Sequence, residues 1–255
     1  DALLAAVLGF LCLSLVSSAV YVFNDIRDRA EDRLHPRKCR RPLAAGEVTV
    51  GAALLLALVV TIVGLGGSYL LDRGFFLVVV VYLLLQLGYT GGLKQVSLLD
   101  VIIIAVGFVL RAVAGAVLVH VTISIWLVLC TFTLCLFMGF SKRRCELNAL
   151  AESGGVDAAQ HRRTLARYTP DLLNHMTTVS AGIAIISFML YATDPVTQKK
   201  FGIYLAYTLP IVVYAVFRFA LLVEHGRVDG PADVVLRDRP FQMALLLWAA
   251  LALLI

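Results

Sequence analysis

The chain has 255 residues, of which 60% are hydrophobic and 15% charged, with a formal charge of +5 at pH 7 and a mean hydropathy of +0.90. That composition excludes a water-soluble globular domain and points to an integral membrane protein. The apolar runs are long and rich in Leu, Val and Ala and lack the alternation of barrel strands, so a membrane β-barrel is excluded as well.

Taken in chain order, apolar stretches of about spanning length lie near 2–23, 49–71, 75–92, 98–119, 123–140, 173–193, 203–224 and 240–255. They predict an all-α polytopic bundle of eight transmembrane helices in one domain, 1–255. Lys and Arg accumulate on the cytoplasmic side of a membrane protein. Loops 24–48, 93–97, 141–172 and 225–239 hold 17 of them against three in the opposite loops, Arg73, Lys199 and Lys200. Those four loops are therefore expected to face the cytoplasm, in a multi-pass protein of the plasma membrane. The sequence opens at Asp1 and enters an apolar run at once, with no basic region or cleavage signal, so an N-terminal part is expected to be missing. Of the five cysteines, Cys12, Cys130 and Cys135 fall in apolar runs and Cys39 and Cys145 in loops of the reducing side, with no disulfide or zinc spacing.

The first apolar run ends in Asn24-Asp25-Ile26-Arg27-Asp28-Arg29-Ala30-Glu31-Asp32. On a continuing helix Asn24, Asp25, Asp28 and Asp32 project from one side, with neighbours roughly 6 Å apart. Like charges so placed repel unless a cation or basic partners neutralise them. Hard oxygen ligands suit Mg²⁺, which binds through one or two carboxylates and bridges to substrate phosphates. The plain alternative is that Arg27, Arg29 and Arg33 pair with the acids on an exposed helix end. A stiff basic loop follows, His35-Pro36-Arg37-Lys38-Cys39-Arg40-Arg41-Pro42, and Leu43-Ala44-Ala45-Gly46 begins the return to the membrane. His35 serves a phosphate or merely a turn.

The pattern Asn24-Asp25-x-x-Asp28-x-x-x-Asp32, then His35-Pro36 and Arg41-Pro42-Leu43-Ala44-Ala45-Gly46, resembles the first aspartate-rich motif of the UbiA superfamily of intramembrane prenyltransferases. The resemblance implies a UbiA-like helical bundle of nine transmembrane helices whose active site faces the cytoplasm. The motif would then close the second helix, with the first helix in the missing segment. Tyr89, five residues before Lys94, is similar to another feature of the superfamily.

Asp100 lies just inside the fourth apolar run, and Arg111 lies three turns further in. A guanidinium among Val, Ile and Leu needs a partner or a wet cavity. Further on, Ser141-Lys142-Arg143-Arg144-Cys145-Glu146 occupies the place where aromatic prenyltransferases of the superfamily carry a second aspartate-rich motif. Lys142 and Glu146 share a helix face and pair there by default. The exchange of acid for base implies an additional anion at this position rather than an additional metal.

With Phe217-Arg218-Phe219 and Pro231-Ala232-Asp233-x-x-Leu236-Arg237-Asp238-Arg239, this variant is similar to the branch of the superfamily that moves 5-phosphoribose from phosphoribosyl diphosphate to decaprenyl phosphate in arabinan and cell-wall precursor synthesis. What that implies is a Mg²⁺-dependent pentosyltransferase. Asp25, Asp28 and Asp32 would be its catalytic and metal-holding residues, with Asn24 beside them. The substrate-binding residues would be Lys38, Arg40, Arg41, Tyr89, Lys94, Arg111, Lys142, Arg143, Glu146, Arg218, Arg237 and Arg239. The expected partners are phosphoribosyl diphosphate, a polyprenyl phosphate and the bilayer, with no nucleic acid and with a homo-oligomer left open. One rival is transfer of a prenyl group to an aromatic or haem acceptor, which calls for a second Asp-x-x-x-Asp loop where 141–172 has only scattered Glu146, Glu152 and Asp157. The other is a transporter, which calls for inverted repeats or broken helices at the midplane.

Overall fold

The computed structural model of the chain describes residues 2–34, 38–152, 165–225 and 230–255. Eleven helices run in the order α1 (Ala2–Leu34), α2 (Pro42–Ala45), α3 (Val50–Leu71), α4 (Arg73–Gly91), α5 (Leu99–Leu118), α6 (Ile125–Glu152), α7 (Pro170–Thr193), α8 (Pro195–Phe201), α9 (Leu209–Glu224), α10 (Pro231–Arg237) and α11 (Arg239–Leu254), and no strand occurs among the described residues. All eight apolar segments are helical. Seven are long and apolar enough to cross a membrane, the seventh being Ile203–Glu224, whereas Arg239–Leu254 is a shorter apolar helix. The helices gather into two compact units, Asp1–Thr122 and Ile123–Ile255.

Two helices outrun the apolar runs that begin them, as the helical spacing of their polar residues expects. The first helix runs on through the acidic segment to Leu34, and α6 runs through Lys142–Glu146 to Glu152. In both places a hydropathy boundary falls inside a helix, because Arg, Glu, Lys, Leu and Ala propagate a helix after it leaves hydrocarbon. Residues 156–168, helical-looking in sequence within the 141–172 loop, lie largely outside the described residues, as does the His35–Arg37 stretch.

Local chemistry sets the helix ends. Thr49 caps α3 by accepting the Ala52 N–H, and Thr169 caps α7 with Pro170 in its first turn. Asp72 serves two helices: its N–H donates to Ser68 O at 3.2 Å, and its carboxylate accepts the Phe75 N–H at 2.7 Å. Such caps satisfy donors and acceptors that hydrocarbon would leave stranded.

In the first unit α1 lies along α3, and Val16, Phe75, Val79, Tyr82, Ala114 and Leu118 form the core. The close approach of α1 and α3 depends on Gly64, where a Cβ would stand 2.8 Å from Val16 Cγ2 and 2.9 Å from Cys12 O. Small residues at such crossings let backbones approach where no hydrophobic force drives helices together. In the second unit Phe137, Ala181, Val216, Phe219, Leu222 and Val234 pack together. Large side chains such as Leu55, Ile62, Leu70, Leu84, Ile186 and Leu246 remain exposed along the helices, a surface suited to lipid and unsuited to water. Gly64→Leu is expected to destabilise the protein by about 1–3 kcal/mol through overpacking against a backbone carbonyl, read as a lower unfolding midpoint in detergent; an unchanged midpoint would show that α1 and α3 separate without cost.

Candidate active site

At the end of α1 the acidic side chains sort into two columns. Asp25 and Asp32, two turns apart, share one nitrogen: Arg41 Nη1 donates to Asp25 Oδ1 and to Asp32 Oδ2, each at 2.8 Å. Asn24 and Asp28, one turn apart, share another: Lys94 Nζ stands 2.5 Å from Asp28 Oδ1 and 3.1 Å from Asn24 Oδ1. Asn24 also donates through Nδ2 to Asp28 Oδ2 at 3.0 Å. Asp32 is buried, at 3% exposure, and Lys38 Nζ stands 4.0 Å from its Oδ1. The face is thus turned into protein, and cations offset the repulsion that its spacing dictates.

Of Arg27, Arg29 and Arg33, which the plain alternative pairs with these acids, the last two are engaged elsewhere. Arg29 Nε donates to Leu43 O and Arg33 Nε to Ala44 O, both at 3.1 Å. These two arginines leave α1 on another side and hold the carbonyls of the short helix α2, which Gly46 closes at φ 84°. The loop is thereby folded back so that Arg41, immediately before Pro42, reaches the carboxylates. Lys94 arrives from a 3-10 turn, Leu93–Gln95, entered through Gly92 at φ 157°.

Among the described residues no three acidic, cysteine or histidine side chains converge on one point. The donors nevertheless suit a hard divalent cation, being carboxylate and amide oxygens only. Arg41 Nη1 and Lys94 Nζ each occupy the gap between two of those oxygens, standing in for the charge that such an ion would bring.

Deeper in the same unit, Arg111 donates from Nη2 to Tyr82 Oη at 2.6 Å, and Tyr82 Oη lies 3.1 Å from Ser17 Oγ. The guanidinium carbon sits over the rings of Tyr82 and Phe108, 5.2 and 5.3 Å from their centroids. Arg111 lines a cavity of about 430 Å³ together with Ser14, Ser17, Ser18 and Tyr21. Arg111 thus has a partner in Tyr82 and a cavity beside it. Tyr82 and Ser17 are absent from the sequence reading, because a lone phenol or hydroxyl in an apolar run carries no periodic signal. An unpaired charge at mid-helix in a bilayer costs about 2.5–3.5 kcal/mol on insertion scales.

Within the second unit, Arg143 is buried at 3% exposure and donates to Glu146 Oε2 at 2.6 Å. Arg143 is therefore a base that the structure sets on Glu146, where the sequence pointed to Lys142. Lys142 is exposed on the same helix end. Arg218 forms a two-pronged pair with Asp238, Nε to Oδ1 at 3.1 Å and Nη2 to Oδ2 at 2.7 Å. Asp238 also caps α11 through the Phe241 N–H at 2.8 Å. Arg237 pairs with Asp233, and Arg237 and Arg239 are exposed, as is Arg40 in the first unit. Arg218 is thus engaged with Asp238, the residue between Arg237 and Arg239.

Against known proteins, residues 1–252 match the UbiA prenyltransferase family. The chain belongs to that family. This UbiA-family chain is 36% identical over 243 residues to the decaprenyl-phosphate phosphoribosyltransferase of Mycobacterium tuberculosis H37Rv, covering 95% of the chain and 78% of that protein. The enzyme of the same name from Corynebacterium glutamicum is 34% identical over 245 residues, 94% of the chain and 72% of that protein. Its fold is similar to that of a UbiA homolog from Archaeoglobus fulgidus bound to GPP and Mg²⁺, with a TM-score of 0.75 at 20% identity over 98% of the chain and 86% of that chain.

In this UbiA-family fold the Arg218 fork holds the Asp238 carboxyl below the usual carboxylate range, with a smaller contribution from the Phe241 N–H. Asp238→Ala is expected to cost about 1–3 kcal/mol, the worth of charge-assisted hydrogen bonds whose partner is left behind. A carboxyl lowered on folding stabilises fully above its unfolded value of about 3.9 and loses that contribution as pH falls through the lowered folded value. Unfolding midpoints of wild type and variant should therefore differ at pH 7 and converge well below pH 4; equal midpoints at pH 7 would leave the fork without a stabilising role.

Proposed function

We propose that this protein transfers 5-phosphoribose from phosphoribosyl diphosphate to decaprenyl phosphate, releasing pyrophosphate, at the cytoplasmic face of the plasma membrane and on the route to arabinan precursors of the cell wall. One observation carries the reading: the carboxylates that close α1 are wrapped by their own bases, while the end of α6 presents Lys142 and Arg143 where prenyl transfer to an aromatic acceptor would call for a second acidic motif. The phosphoribosyltransferase relatives, similar over nearly the whole chain, support it.

Asp25, Asp28 and Asp32, with Asn24, would hold Mg²⁺, and the neighbouring fold bound to GPP and Mg²⁺ supports a divalent ion. Such an ion, when bound, stabilises charge on a departing diphosphate. The remaining work falls to the chain itself. Arg41, Lys38 and Lys94 supply cationic donors that exchange carboxylate for phosphate oxygens, with Tyr89 at the same end of α4. Within the second unit, Lys142 and Arg143 serve further phosphate oxygens, and Glu146 fixes the Arg143 guanidinium. An ionised lipid phosphate attacks without losing a proton, so no general base is needed. Catalysis is then positioning and charge stabilisation.

Purified protein given labelled phosphoribosyl diphosphate and polyprenyl phosphate should pass label into the lipid-soluble fraction with Mg²⁺ and not with a chelator. Asp28→Ala is expected to lower that transfer by at least about 100-fold, the scale of losing transition-state charge stabilisation. Label transfer indifferent to chelation would remove the metal, and full activity in the variant would remove the acidic face. Lys142→Ala should raise the KM for donor or lipid phosphate in a protein of unchanged unfolding midpoint; an undiminished kcat/KM would strike Lys142 from the site.

A further inference from the structure

Among the described residues, Arg111 is the one cation placed well inside an apolar helix of the first unit. It lies twelve residues beyond Leu99 in α5, about 18 Å from that helix's start. Its described partners are a phenol oxygen and two aromatic rings, none of which cancels its charge. Its Nε is buried and makes no hydrogen bond. A guanidinium in hydrocarbon needs a partner or a wet cavity, and where the partner is an anion its planar fork matches the oxygens of a phosphate.

The cavity beside it specifies what carries that anion. Ser14, Ser17, Ser18 and Tyr21 bring hydroxyl-bearing side chains to the cavity lining, and Ser17 is linked to the arginine through Tyr82, while Phe10, Leu13, Phe75 and Leu118 make the rest of the wall apolar. A charged head against a small polar patch, continuing into an apolar volume, describes an amphiphile rather than a free ion. Ser17 stands seven residues before Asn24 on α1, about 10 Å along the axis, so the cavity lies on the hydrocarbon side of the acidic face.

We infer that Arg111, with Tyr82 and Ser17, forms a subsite for the phosphate head of an isoprenoid or acyl phosphate held within the membrane, separate from the diphosphate-handling face above it. The inference rests on the proposed transfer in identifying that amphiphile with the acceptor, whereas binding of a lipid phosphate stands without it. Tyr82 is a positioning residue, holding the guanidinium by Nη2 beside the cavity that Arg111 lines.

The test is binding of labelled farnesyl phosphate to the purified full chain without phosphoribosyl diphosphate, beside farnesol, inorganic phosphate and phosphoribosyl diphosphate as competitors. Farnesyl phosphate should bind, with farnesol weaker by at least about tenfold, the worth of one charge-assisted contact, and inorganic phosphate should not compete in the same range. Arg111→Gln should weaken binding by a similar factor, while Arg111→Lys retains most of it. Gly115→Leu gives a second handle, since its added Cβ meets nothing within 4 Å and its side chain enters the cavity while Arg111 stays. That variant should keep its unfolding midpoint and lose farnesyl phosphate binding. Equal binding of farnesol, competition by inorganic phosphate at similar concentration, or full binding in Arg111→Gln or Gly115→Leu would overturn the subsite. Farnesyl phosphate binding that depends on Arg111 with no phosphoribose transfer would instead overturn the proposed reaction and leave the subsite standing.

Discussion

Two nitrogen atoms hold the functional end of the first unit together. Arg41 Nη1 joins Asp25 to Asp32, and Lys94 Nζ joins Asp28 to Asn24. Without them α1 would carry unbalanced carboxylates on one face, one of them buried, a charge arrangement that folding resists. With them, the acidic columns recruit the loop after α1 and the turn after α4, fixing both segments over the helix end. Under the proposed transfer, a phosphate oxygen would compete with these carboxylates for each base, and a carboxylate so released could serve a metal.

The scaffold beneath is assembled differently. Helices of the first unit meet through a small residue at Gly64 and through a core of Val, Phe and Leu, because lipid offers no solvent from which apolar groups need to escape. Polar side chains within the spans are few and carry correspondingly more meaning. Ser17, Tyr82 and Arg111 form a short chain of contacts that hydrophobic packing alone would not retain.

Much of this was legible in the sequence, and what escaped did so for definite reasons. The acidic face follows from spacing of four and seven residues, since helical geometry converts that spacing into direction without tertiary information. Arg111 announced itself as a charge in hydrocarbon. Arg29 and Arg33 misled, because their alternation with acids suggested local pairing, whereas their partners are carbonyls of a turn ten or more residues away. Arg218 escaped for a related reason: its mate, Asp238, is twenty residues distant, and a ligand-binding arginine and a structural one look alike until the chain is folded. The continuation of α6 from Glu146 to Glu152 was not legible, because hydropathy locates the membrane and says little about where a helix stops.

Asp72 ends α3 and begins α4 in a single residue, and this economy divides the first unit into unequal halves. At that end the polypeptide has no slack, and insertion of even one residue would detach a cap from each of two spans. At the opposite end the chain spends long connections, among them the whole stretch between Leu34 and Val50. A change of length is therefore better accommodated beside the acidic columns than at Asp72, where one residue keeps two spans in register.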